Sequence, residues 1–586
     1  MPKHYFNHAA ISYRNFAGIS LIFFFAVFFS ACRNNTTCLP LNWGGGTNDP
    51  FTPPGGGRTY IIVNPGMDLD VLGQLRWLHD LSNPNPPVGG THYYKIVAWN
   101  TIQAYNPITS APGERPIPGP SALDPHSIDF GLTQNVNVII TSETNVRRTI
   151  AFDSGILGYM LRVATTNTLS LENIYLEGTT GNTDSLIAVY GTLVMEDAHI
   201  FGNTVARGVR ADGGNVVMRN GAQIRNNSGG VLLNNNAALT MQGNAQIRQN
   251  IAANGGGVHM SAGSTLTMND NSNIYDNYST AAVGVSNGGG GVWASGNGTV
   301  ITMNDSARIQ GNGSISHGGG IFMQNQAFLE MRNDSWIYDN TSAVTATALI
   351  PVNGVNGGGV SADNSSITMR NNSKIKNNFN NSNSAGGGVN LIRGSTLLME
   401  NNSSITGNIV QNSGGGGVRA AWPDPIPPTP PRNYVRMYHT ASITNNDTSH
   451  SGGGLQIQAH SSLYMLGNDT RISGNRAGIT GGTGFGASQG GGVALTVGTS
   501  LLRIFGGRIY GIVDPLGTGH SFGCLRVESN TARHSTANQR RHALNSLGTA
   551  TLYVWDGTNL IPGAPLGHSS SDIVVEYGVL MFPLIP

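Results

Sequence analysis

The sequence predicts an all-β chain wound as a right-handed parallel β-helix, with three short strands per coil and a small α/β cap at its N-terminal end. Three observations predict it. A unit made of a glycine run, a short apolar strand, a second strand ending in Met and a closing Ile-x-x-Asn recurs along the chain, most legibly over residues 255–277. The copies are spaced by 23 to 38 residues, yet most of that variation falls between the Asn and the next glycine run. Within each copy the apolar residues alternate, as in Leu266-x-Met268 and Leu397-x-Met399, which is strand periodicity. A coil of fixed perimeter that extrudes loops at its corners behaves in this way.

Taken from the start, residues 1–31 read as an export signal. Lys3, His4 and Arg14 precede an apolar run from Ile19 to Phe29, and Ser30 and Ala31 stand before Cys32. That run is too short to span a bilayer comfortably. Phe29-Ser30-Ala31-Cys32 resembles a bacterial lipobox, with Phe where Leu is usual. The resemblance implies that Cys32 is lipidated and becomes the first residue of the mature chain. It further implies a membrane partner through the lipid and a place in the cell envelope, on the outer membrane facing the cell surface. Each buried methylene of such an anchor contributes roughly 0.8 kcal/mol. Residues 32–58 carry Gly44-Gly45-Gly46, Pro53-Pro54 and Gly55-Gly56-Gly57 and read as a flexible tether. With three cysteines (Cys32, Cys38 and Cys524) there is no disulfide framework, and whether Cys38 and Cys524 pair stays open.

Residues 59–130 depart from the repeat and read as a cap. Tyr60-Ile61-Ile62-Val63 and Tyr94-Lys95-Ile96-Val97-Ala98 look like strands. Leu69, Leu72, Leu75, Leu78 and Leu81 recur at spacings compatible with an amphipathic helix. Stacked strands leave open edges at the end of a solenoid, so an atypical unit is needed to block them. The helix proper is expected over residues 131–512, and residues 513–586 are expected to close its far end.

Inside the repeat, Ile-x-x-Asn recurs ten times, closing on Asn203, Asn227, Asn250, Asn277, Asn312, Asn340, Asn378, Asn408, Asn446 and Asn475. Stacked in register, these amides are expected to form a structural ladder, each side chain hydrogen-bonding its neighbour. A Met precedes each Ile by five to seven residues, so that ten of the 16 methionines fall in one column. Unbranched thioethers fill irregular core space; a Met-rich copper site would want His or Cys beside it, and no metal is expected. The glycine runs suit a corner that needs positive φ or close backbone approach. A leucine-rich repeat is the competing fold, but the later copies lack its upstream Leu-x-x-Leu. The chief exception to variation falling between the Asn and the next glycine run is the proline-rich insertion at residues 421–432.

The Gly-Gly-Gly-Val and Ile-x-x-Asn pairs resemble the GGA[ILV] and FxxN motifs of polymorphic outer-membrane protein repeats. They are similar also to lipid-anchored bacterial β-helix repeats of the pectin-lyase-like superfamily. The likeness covers residues 169–512, with Ile for Phe and Gly for Ala throughout. It implies a surface-exposed, adhesin-like protein. The autotransporter barrel usual in that family has no room after residue 512, so a lipid anchor is the expected means of attachment.

Catalysis is weighed against this. Galacturonase-like sites combine Asn-Thr-Asp, Asp-Asp, Gly-His-Gly and Arg-Ile-Lys, whereas here Asn182-Thr183-Asp184 stands alone in a Gly/Thr-rich turn and Gly519-His520-Ser521 lacks its last Gly. Asp276 and Asp339 share the sequence Ile-Tyr-Asp-Asn, about 10 Å apart by strand spacing, but other copies place Gly, Asn or Gln there. His259, His317, His450 and His460 fall at different coil positions and make no ligand set. The net charge of +1 gives no concentrated basic footprint for nucleic acid. Outward aromatics are the best binding feature: Tyr275 and Tyr338 follow the Ile, and Trp293 and Phe322 follow the post-glycine Val or Ile. Such rings stack on sugars or protein partners.

The expectation is therefore a monomeric, lipid-anchored structural or interaction protein, binding a glycan or protein ligand without catalysis or cofactor. The alternative is a polysaccharide lyase or hydrolase with a divergent site on the same helix.

Overall fold

The computed structural model describes residues 157–478 almost continuously, apart from 283–286, 344–355, 383–385, 423–429 and 468. Before that span it describes residues 61–62, 92–98, 102–105, 128–129, 136–142 and 147–152. After it, residues 491–496, 501–504, 508–509, 531–532, 544–547, 551–555 and 560–562 are described. The signal, the tether, Cys32, Cys38, Cys524, the expected cap helix and most of the proline-rich insertion lie outside the described residues.

One coil stands for the rest. Val258–Ser261, Thr265–Met268, Asn273–Tyr275 and Tyr278–Ser279 follow one another as strands. Each pairs in parallel with its counterpart one coil on, namely Val292–Ser295, Val300–Met303, Arg308–Gln310 and Gly313–Ser314. Repetition builds sheets of 14, 17, 14 and 9 strands, here named the glycine, methionine, isoleucine and fourth sheets. Among the described residues there is no helix, and the one antiparallel pairing joins Thr551–Trp555 to Leu560–Pro562. The chain is an all-β parallel β-helix.

Three strands per coil were expected, and the fourth sheet is an addition to them. Its strands are two residues long, such as Thr341–Ser342 and Phe379–Asn380, too short for the alternation by which a strand is read. The ladders also run beyond residues 131–512. Ile61–Ile62 and His92–Ala98 pair in parallel with the stack ahead of Val136–Ser142, and Thr551–Trp555 extends the methionine sheet at the other end.

Alternating side chains point into the core. In the methionine sheet the ten methionines from Met195 to Met465 stand in one register column, all fully buried. Burying a side chain of this size contributes about 1.5–3 kcal/mol. The isoleucines of Ile-x-x-Asn form a second column, also buried.

The corners explain the rest of the repeat. The residue before each ladder Asn is left-handed in every copy: Gly202, Asn226, Gln249, Asp276, Gly311, Asp339, Asn377, Gly407, Asn445 and Gly474. Gly, Asn and Asp tolerate that region best. In most glycine runs the residue three before the first apolar one takes positive φ, as Gly357 does at +70°. A Cβ on the third, Gly359, would lie 2.7 Å from the Gly388 carbonyl oxygen and 2.8 Å from Asn378 Nδ2. The run is thus one conformational requirement followed by close approach to the neighbouring coil.

Candidate ligand-binding face

The asparagine ladder is present and internal. Asn277 donates from Nδ2 to Asn312 Oδ1 at 3.1 Å, and its main-chain N–H donates to the same oxygen at 3.0 Å. The same pair of bonds repeats from Asn227 down to Asn475. At the upper end Asn203 donates its main-chain N–H to Asn227 Oδ1. Most Nδ2 groups also donate to the carbonyl of the Ile one coil back, as Asn340 does to Ile309 at 3.0 Å. No ladder Asn is more than 3% exposed, so these amides serve the scaffold and face no ligand. Asn182 caps the column: fully buried, it donates to Asn203 Oδ1 at 3.4 Å and accepts from the Gly158 N–H at 3.0 Å. The Asn-Thr-Asp triplet is accounted for as a ladder end. A shorter internal ladder at the corner before the methionine sheet runs from the Ser365 N–H to Ser395 Oγ and from the Ser395 N–H to Asn433 Oδ1.

The four aromatic candidates do not come together. Trp293 and Phe322 are register neighbours on the glycine sheet, while Tyr275 and Tyr338 lie on the isoleucine sheet. Trp293 stacks on His259 at 4.2 Å between ring centroids. Burial, then the nearby Arg207 guanidinium, pushes His259 down to about 4. Phe322 is a correction: it is 1% exposed and stacks on His317, so its ring is a packing element and has no face to offer. Asp276 and Asp339 hold the left-handed corner position, with φ near 54° and 55°. Burial raises both carboxyls, partly offset by Arg248 for Asp276 and by Asn377 and Lys376 for Asp339. Raised carboxyls occur at catalytic sites, but this position is filled by Gly, Asn or Gln in other coils, as backbone conformation requires.

On the glycine sheet a depression of about 350 Å³ is lined by Tyr159, Asp184, Arg207 and Arg210, among others. Arg207 is committed there: its guanidinium donates to the carbonyls of Asn254 at 2.6 Å and Gly255 at 3.1 Å, and burial lowers its pKa to about 10.

The outer face of the isoleucine sheet is different. The residues on either side of each Ile point outward, and seven successive coils put Phe201, Arg225, Arg248, Tyr275, Gln310, Tyr338 and Lys376 in one column. The companion column holds His199, Gln223, Gln246, Asn273, Arg308, Trp336 and Lys374. Cations lie over rings throughout: Arg225 over Phe201 at 4.5 Å, Arg308 over Trp336 at 5.1 Å and Lys376 over Trp336 at 3.8 Å. Lys374 and Lys376 also reach Trp336 and Tyr338, respectively, and Arg248 approaches Tyr275. Burial, then Arg147 and Arg225, holds His199 down at about 4, so it is neutral near pH 7. Burial lowers the Lys376 ammonium, with Asp339 opposing and Lys374 and Arg308 adding to the effect. The cations are close enough to repel one another.

Several cations elsewhere are neutralised, although Arg436 also lies over rings, those of Tyr434 and Tyr464, outside any ion pair among the described residues. Arg332 and Arg370 pair with Glu330, Arg370 also with Glu400, Arg393 with Asp363, and Arg476 with Asp447. Among the described residues, Arg225, Arg248, Arg308, Lys374 and Lys376 are in no ion pair; Arg248 bonds only the neutral Gln223 and Gln249. Sequence reading picked out Tyr275 and Tyr338 but missed Arg225, Arg248, Arg308, Trp336, Lys374 and Lys376. The signal was available in the two residues flanking each Ile, as in Trp336-Ile337-Tyr338 and Lys374-Ile375-Lys376.

The class of protein defined by this geometry is a parallel β-helix. Compared with family profiles, curated proteins and solved structures, the chain matches none of them.

Proposed function

We propose that the chain is a surface-exposed, lipid-anchored interaction protein, an adhesin-like β-helix that binds a glycan or protein ligand without catalysing its conversion. The observation that carries the reading is the isoleucine-sheet face, where five cations in no ion pair stand among aromatic rings. The rings hold these cations in place, while their mutual repulsion is relieved when an anionic partner covers them. The lipobox-like Cys32, the Gly/Pro-rich tether after it and the likeness of the repeat to surface-protein repeats support an outer-membrane location.

An array of glycans and matrix proteins, read alongside product release from the same glycans, tests the function. Retained binding with no product is expected. Sustained cleavage abolished by Asp276→Asn or Asp339→Asn would overturn the reading in favour of a lyase or hydrolase. For the anchor, Cys32→Ser is expected to move the protein from the membrane to the soluble fraction, and an unchanged membrane fraction removes that part of the proposal.

A further inference from the structure

We propose that the isoleucine-sheet face from Arg248 to Lys376 binds a linear acidic polysaccharide charged on alternate sugars, laid along the stacking direction across the strands. This rests on the binding reading above and names its ligand.

The rows follow a regular order. Arg248 is followed one coil on by Asn273 and Tyr275, then by Arg308 and Gln310, then by Trp336 and Tyr338, then by Lys374 and Lys376. Cationic and aromatic rows therefore alternate with a period of two coils. Strands lie about 4.8 Å apart, so like rows repeat at roughly 10 Å. An extended pyranose chain advances by about one sugar per coil on that scale, and a disaccharide spans the repeat. A polymer bearing a carboxylate or sulfate on every second sugar would set its anions on the cationic rows and its neutral rings on the aromatic rows.

The neighbouring groups suit such a chain. Gln246, Asn273 and Gln310 stand in the same two columns and can donate to or accept from hydroxyls. The rings beneath Arg308, Lys374 and Lys376 hold long side chains in place before binding, which lowers the ordering cost. Acidic groups lie at the margins: Glu177 is above the face, and Asp276 and Asp339 are in the left-handed corner beside it. Single-stranded nucleic acid carries a charge on every unit and needs a denser basic groove. An anionic membrane would want apolar side chains free to insert, whereas these rings are half-buried between coils.

The test uses the full chain with hyaluronate oligosaccharides, polygalacturonate, neutral dextran, poly(dT) and phosphatidylglycerol vesicles at physiological salt. Hyaluronate, charged on alternate sugars, is expected to bind at least tenfold more tightly than polygalacturonate of equal length, with affinity rising up to about five sugars. The triple variant Arg308→Gln, Lys374→Gln, Lys376→Gln should lose at least tenfold. Gln already occupies these columns at 223, 246 and 310, so the fold should tolerate it, with circular dichroism as the check. Arg370→Gln, whose arginine is paired on the methionine sheet, should bind like the parent. Equal affinity for polygalacturonate or dextran, tighter binding of poly(dT) or vesicles, or an unaffected triple variant would overturn the inference. Binding of a neutral glycan or a protein independently of these cations would leave the interaction reading standing and remove this one.

Discussion

Asn340 donates to Asn378 Oδ1 twice, from its side-chain Nδ2 at 3.0 Å and from its main-chain N–H at 3.0 Å, with neither residue exposed to solvent. One buried oxygen thus satisfies two donors of the preceding coil, and Asn340 Oδ1 does the same for Asn312. The ladder couples neighbouring coils through groups that have no access to water.

Asn340→Ala therefore strands the Asn312 main-chain N–H and leaves Asn312 Nδ2 with only the Ile274 carbonyl. Leaving a buried donor without a partner costs about 1–3 kcal/mol, so a loss of about 3 kcal/mol is expected. Urea denaturation gives the magnitude, and hydrogen exchange at the Asn312 amide shows whether the loss is local to that rung. An unchanged midpoint would mean that the rung is dispensable.

Gly359→Ala and Gly181→Ala form a matched pair. A Cβ at Gly359 meets a carbonyl oxygen and a ladder amide, whereas at Gly181 it meets nothing within 4 Å. Forced overpacking costs typically about 1–3 kcal/mol, and an open surface site stays within about 0.5 kcal/mol. Equal effects of the two substitutions on the unfolding midpoint would contradict close inter-coil approach.

The corner acids are expected to act as backbone residues. Asp339→Gly should be nearly neutral, because Gly takes φ near +55° freely. Asp339→Val should cost about 1–2 kcal/mol, since a β-branched side chain is strained there. The thermal midpoints of the two variants separate this role from one that depends on the carboxylate, in which Asp339→Gly and Asp339→Val would lose stability alike.

His199 and His259 make stability depend on pH. Both are held at about 4 in the folded chain, chiefly by burial, from an ordinary value of 6.5. Between those values the unfolded chain takes up protons that the folded chain does not, so stability falls as pH falls. The contribution is complete above about 6.5 and exhausted below about 4. Urea midpoints measured between pH 7 and 5 should decline, and less steeply in a His199→Gln, His259→Gln variant; parallel profiles would assign the slope to other groups.

The methionine column should resist oxidation. Met195 to Met465 are fully buried, so peroxide should convert them to sulfoxides slowly in the folded chain and rapidly in urea, as read by mass spectrometry. Rapid reaction in the folded state would mean that the coils open.

The class of fold and much of its anatomy can be read from the order of residues alone. The Met column, the Asn ladder and the strand alternation were legible because stacking places the same chemical demand on every coil, and a repeated demand writes a repeated residue. Which outward residues share a surface depends on how the coils stack. Tyr275 and Trp293 are 18 positions apart in the sequence and lie on different sheets, whereas Arg308, Trp336 and Lys374 stand in one column. Outward positions carry no common packing constraint, so their identities vary from coil to coil, and their meaning emerges only when parallel register sets them side by side. The same holds for Phe322, whose burial and stacking on His317 leave no trace in strand periodicity.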